Sequence, residues 1–145
     1  AHTTLVAFAV AVTVNPAALA FSNTYDGDRV AALVYGLLTM VDAAFEHKEE
    51  FYILDSLNET KLYNAARNME IAVWKLSTDR DAAGELFLLS NELDPANRNV
   101  SFEREFGRIT GLLDFMAKIV ADRNGRTVSR AAQSVTTMIF LPVSF

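Results

Sequence analysis

The chain has 145 residues, of which 51% are hydrophobic and 21% charged, with no cysteine, two histidines and a formal charge of −5. These counts exclude a disulfide framework, a thiolate metal site, a cysteine nucleophile and a four-histidine metal cluster. The length suits one domain, residues 1–145, able to bury a core without metal or disulfide support. The acidic balance argues against wholesale binding to nucleic acid or anionic membrane. Charge is uneven, however: residues 1–100 carry fourteen acids and seven bases, and residues 101–145 carry four acids and six bases.

The first segment, Ala1 to Ala20, contains no Asp, Glu, Lys or Arg. Its apolar run Leu5-Val6-Ala7-Phe8-Ala9-Val10-Ala11-Val12, the break at Asn15-Pro16 and the triplet Ala18-Leu19-Ala20 have the form of the back half of an export signal, without the basic region that opens one. This leans towards an exported protein but leaves the compartment open. The run is too short to span a membrane as a helix. Read instead as part of the mature fold, Val10, Val12 and Val14 alternate with small residues and favour an extended segment. A second apolar stretch, Val135 to Leu141 followed by Pro142-Val143-Ser144-Phe145, closes the chain. Either tail can pack on the chain's own core, dock on a neighbouring subunit or touch a membrane.

Between the tails, over residues 28–138, the periodicity is helical. Val30, Leu33, Val34, Leu37, Val41, Ala44 and Phe45 recur at three- and four-residue steps and predict a helix capped by Asp26 or Asp28, with that set turned inward. Phe51 to Leu57 either continues it or forms a separate turn. A helix from Glu59 to Leu76 follows, with Leu62, Ala65, Ala66, Met69, Ala72, Val73 and Leu76 in register. Thr78-Asp79-Arg80-Asp81 reads as a capping box opening a third helix, with Ala82, Leu86, Leu89 and Leu93 inward. Asp94-Pro95-Ala96-Asn97-Arg98-Asn99 is a loop. Phe102, Phe106, Ile109, Leu113, Met116 and Val120 then form the most regular seam, widened by Leu112 and Ile119, and Asn124-Gly125 stops the helix. Val128, Ala131, Ala132, Val135 and Met138 mark a last amphipathic segment. The expected fold is all-α, a four- or five-helix bundle with apolar extended N- and C-terminal segments.

Catalytic chemistry finds few footholds in this pattern. His2 lies in the apolar terminus, and His47, within Glu46-His47-Lys48-Glu49-Glu50, has only Glu50 as a companion ligand one turn on. No Glu-x-x-His pair, Gly-x-Gly-x-x-Gly, Walker loop or calcium-binding loop occurs. Helix capping accounts for the carboxylate pairs Asp79/Asp81 and Glu103/Glu105. We therefore expect no catalytic residue, no metal site and no cofactor. Asn58-Glu59-Thr60 and Asn99-Val100-Ser101 fit the N-glycosylation pattern at predicted helix boundaries.

Two groups are candidates for partner binding. Tyr63, Arg67, Glu70 and Trp74 form an aromatic and arginine stripe of the kind found at interface hot spots, or else finish the core. Lys118, Arg123, Arg126 and Arg130 surround the Asn124-Gly125 turn, where they face a nucleic-acid backbone or acidic neighbour, or answer the helix dipole; the dipole is the favoured reading. The ending Thr137-Met138-Ile139-Phe140-Leu141-Pro142-Val143-Ser144-Phe145, after an arginine-bearing segment, resembles the point where the stalk helix of CorA-type magnesium transporters enters the membrane. The resemblance covers about a dozen residues. It includes neither that family's Gly-Met-Asn signature nor its second membrane helix, and it implies no ion-site residue here. The expected function is that of a non-enzymatic structural or assembly subunit, a homo-oligomer or part of a larger assembly, acting through bundle packing and apolar terminal arms. The alternative is an exported helical-bundle carrier of a small apolar ligand, bordered by Phe102, Phe106, Met116, Trp74 and Tyr63.

Overall fold

The structure, a computed structural model, describes residues 16–52, 56–125, 140 and 143. They form four helices and no named strand: α1, Pro16–Leu19; α2, Arg29–Ala44; α3, Glu59–Thr78; and α4, Ser101–Arg123. The chain is all-α in this region, as its periodicity predicts. The expected extended stretch at residues 5–14 and the amphipathic segment at 128–138 lie outside the described residues.

α1 is a single turn opened by Pro16, whose fixed φ suits the first helical position. It lies on α2 at a point where both segments carry little side chain: Ala17, fully buried, faces Gly36, and Ala20 is fully buried as well. Arg29 holds the junction, its Nη1 donating to the carbonyls of Ala20 at 3.0 Å and Ser22 at 2.8 Å.

Asp28 caps α2 by accepting from the Ala31 N–H at 2.9 Å, as expected. Its inward face differs from the expected one. Leu33, Leu37 and Ala44 are buried, but their companions are Ala32, Gly36, Met40 and Ala43, while Val30 and Val34 are exposed. Val41 and Phe45 pack against the core as expected, but the close approach of α1 at Gly36 turns the helix so that its small residues, rather than Val30 and Val34, meet the neighbour. α2 ends through Glu46 and His47, both left-handed at φ 58 and 59, where His47 N–H donates to the Asp42 carbonyl at 2.9 Å and Glu46 N–H to that of Ala43.

Asn58 caps α3 with one oxygen that accepts from Thr60 and Lys61 N–H. α3 is the central element and packs against both α2 and α4. Its predicted face is buried at Leu62, Ala65, Ala66, Met69, Ala72 and Leu76, joined by Ile71 and by Asn68, whose Nδ2 donates to Met40 Sδ at 3.2 Å. α4 runs antiparallel to it, because Asn124 Nδ2 donates to Glu59 at one end and Arg67 meets Asp114 at mid-length. Gly125 adopts φ +63, the left-handed stop read from Asn124-Gly125.

The helix expected over Ala82 to Leu93 is absent; residues 79–100 form a structured loop. Asp81 captures the N–H groups of Ala83 and Glu85 with its own carboxylate, and Gly84 turns left-handed at φ +87, so the capping box closes a turn instead of opening a helix. Isolated bridges pair Arg80 with Leu86 and Glu92 with Asn99 around the Asp94-Pro95 turn. Leu89, expected inward, keeps 95% of its surface exposed. The loop is held to the helices by Phe87, which meets Phe21 edge-on and lies under the Arg29 guanidinium at 4.9 Å, and by Asn23, whose Oδ1 accepts from Ala82 N–H.

The described parts of both tails pack on the chain's own core: Ala17, Ala20 and Val143 are buried in it, and Phe140 lies against it.

Candidate interaction surfaces

α4 is about 34 Å long at ~1.5 Å per residue over its 23 residues. It carries two apolar stripes. One faces α3 through Leu113, Ala117, Val120 and Ala121, with Phe102, Phe106 and Met116 partly buried beside it. The other, roughly a third of a turn around the helix, is open to solvent at Ile109, Leu112, Phe115 and Ile119, with Leu112 and Phe115 keeping 59% and 63% of their surface exposed. Leu112 and Ile119 therefore do not widen the core as their spacing suggests, and Ile109 lies at the margin. α3 is too narrow to cover both stripes, and its own flank is occupied on the other side by α2.

α2 repeats the arrangement. Arg29 and Asp42 are its only charged residues, and Val30, Val34, Tyr35 and Leu38 form an outward strip in which Leu38 is 64% exposed. A helix apolar on nearly every side is one that belongs among neighbours. Exposed apolar side chains contiguous along a helix, unlike scattered ones, mark contact surfaces.

The residues singled out from the sequence fall elsewhere. Arg67 lies over the Tyr63 ring at 5.0 Å and pairs with Glu70 at 3.2 Å and with Asp114 at 2.5 Å. This stripe is accordingly a clamp between α3 and α4 at its middle; Trp74, one turn further, remains partly exposed. Lys118 is paired within its own helix to Asp122 at 2.9 Å. Arg123 is exposed in the last turn of α4, and Arg126 and Arg130 lie outside the described residues.

His47 is bonded through Nδ1 to Asp42 at 2.5 Å rather than to Glu50, whose carboxylate accepts from the Tyr52 hydroxyl. Among the described residues no three His, Asp or Glu side chains gather in a way that holds a metal ion. No described helix is long and apolar enough to cross a membrane. A cavity of about 360 Å³ opens where α2, α3 and α4 end together, lined by Glu46, Ser56, Leu57, Asn58, Glu59 and Asn124. Its lining is mostly polar. Phe102 and Phe106 stack on each other at 4.3 Å, well away from it. Of the two Asn-x-Ser/Thr sites, Asn58 caps α3, and Asn99, one residue before the Val100 cap position of α4, accepts from Ser101 N–H through Oδ1.

The outward seam escapes the sequence reading because the inward one masks it. Glu105, Ile109, Leu112, Met116, Ile119 and Arg123 are spaced 4, 3, 4, 3 and 4, the same heptad rhythm as the seam that faces α3, with Ile109 and Met116 common to both and Met116, half-buried, at the border between the two stripes. A second heptad register is the available signal. The chain matches no known family model, no curated protein and no solved structure.

Proposed function

We propose that this chain is a non-enzymatic structural or assembly subunit that associates through the apolar outer faces of its helices. The observation that carries this reading is the second stripe of α4, four large apolar side chains in line on the side turned away from α3. Burial of such a stripe stabilises association by roughly 25 cal/mol per Å² of apolar surface removed from water, before the cost of losing free rotation and translation. The similar strip on α2 is a further exposed apolar face. The terminal segments belong to the proposal as secondary contacts, since their described residues pack inward.

The test is a variant carrying Leu112→Lys and Phe115→Lys. Both positions are exposed, so the helix content and melting temperature of the monomer are retained while self-association is lost. A variant that associates as strongly as the parent removes the α4 face from the account.

A further inference from the structure

From the α4 seam we infer that the partner is a second copy of this chain, docked α4 against α4 in antiparallel orientation. The inference rests on the assembly reading above and specifies its partner and geometry.

In heptad terms Ile109, Met116 and Arg123 occupy one seam position, and Glu105, Leu112 and Ile119 the other. The three central turns are apolar, and the two ends are oppositely charged. Glu105 is exposed at the N-terminal end, with a side chain 56% open, and Arg123 is exposed in the last turn. Sequence separation fixes what each orientation brings together. In a parallel, in-register pair Glu105 meets Glu105 and Arg123 meets Arg123, two like-charge contacts inside the seam. In an antiparallel pair centred on Asp114, Ile109 faces Ile119 of the second copy, Leu112 faces Met116, and Glu105 faces Arg123. The apolar layers match, and both ends become opposite-charge contacts. Glu105 already accepts from Arg108 at 3.0 Å within its own helix, which leaves its second oxygen for the neighbour. Phe115, beside the seam at mid-length, lies near the two-fold axis, where it meets its own symmetry mate and closes the contact isologously.

Charge reversal tests this without disturbing the core. Glu105→Arg alone and Arg123→Glu alone each convert two attractive contacts into repulsive ones, and each weakens dimerisation about tenfold at low salt; the double reversal restores it. Far-UV circular dichroism verifies that each variant folds. The absence of native cysteine permits a second readout. Leu112→Cys and Met116→Cys chains, mixed and oxidised, form the mixed 112–116 disulfide in excess over either chain alone. Preferential 112–112 and 116–116 bonding, or single reversals that leave dimerisation unchanged, overturns the antiparallel geometry and leaves the assembly reading standing. A parent chain that never self-associates overturns both.

Discussion

Replacing Gly36 with alanine offers a sharp test of how α1 and α2 meet. In an ordinary helix interior the change stabilises by about 1 kcal/mol, because alanine loses less backbone freedom on folding. Here the added Cβ falls on the Ala17 backbone, inside contact distance of its nitrogen and only 2.8 Å from its Cα and 2.9 Å from its Cβ. Carbon atoms rest at about 3.5–4.0 Å, so α1 must move by about 1 Å. Overpacking of that size costs about 1–3 kcal/mol, which leaves a net loss of up to about 2 kcal/mol once propensity is counted. The controls are Gly107→Ala and Gly111→Ala in α4, where an added Cβ meets nothing within 4 Å and the propensity gain stands alone. Denaturant midpoints at fixed protein concentration and unchanged slope read the difference. In a chain of this size the melting temperature moves by about 3 °C per kcal/mol, down for Gly36→Ala and up for the controls. If Gly36→Ala stabilises as the controls do, α1 does not close on α2, and the account of why α2 turns its valines outward fails with it.

Other consequences follow from single contacts. Asn58→Ala removes the oxygen that satisfies two N–H groups at the start of α3 and costs about 1 kcal/mol, while Asn58→Asp keeps the cap and leaves the denaturation midpoint nearly unchanged. A double-mutant cycle on Arg67→Ala and Asp114→Ala gives a coupling of about 0.5–1 kcal/mol that declines in high salt, since the Asp114 side chain is 43% exposed. Two leucines of equal sequence merit separate: Leu62→Ala, at a fully buried position, costs about 3 kcal/mol, and Leu89→Ala leaves stability within about 0.5 kcal/mol of the parent.

These contrasts show where sequence and structure part. α3 is legible from end to end because its signals agree: a capping Asn58 and a row of small and aliphatic residues at helical spacing, although Glu59 and Asn68 are buried with them. α4 is equally legible as a helix, and its Gly125 stop is read correctly. The segment from Ala82 to Leu93 misleads because its leucines keep helical spacing, while Asp81 and Gly84 determine the backbone through local hydrogen bonding that periodicity does not weigh. Periodicity also fails to orient a helix that is apolar on several sides. On α2 it selects Val30 and Val34, but the direction is set by how closely Ala17 approaches Gly36, a tertiary fact. On α4 it finds one seam and absorbs Leu112 and Ile119 into it, although they belong to another. The residues that looked most like an interface, Tyr63 and Arg67, are instead drawn into the joint between α3 and α4 by the facing Asp114, whose position opposite them depends on the antiparallel course of the two helices.

The proposed assembly depends on the outer face of α4 as a contact surface between copies of this chain. Sedimentation equilibrium from micromolar to millimolar concentration tests it most directly. The expected result is an apparent mass that rises from 16.0 kDa towards twice that value as concentration increases. A mass that stays at 16.0 kDa across the whole range contradicts it.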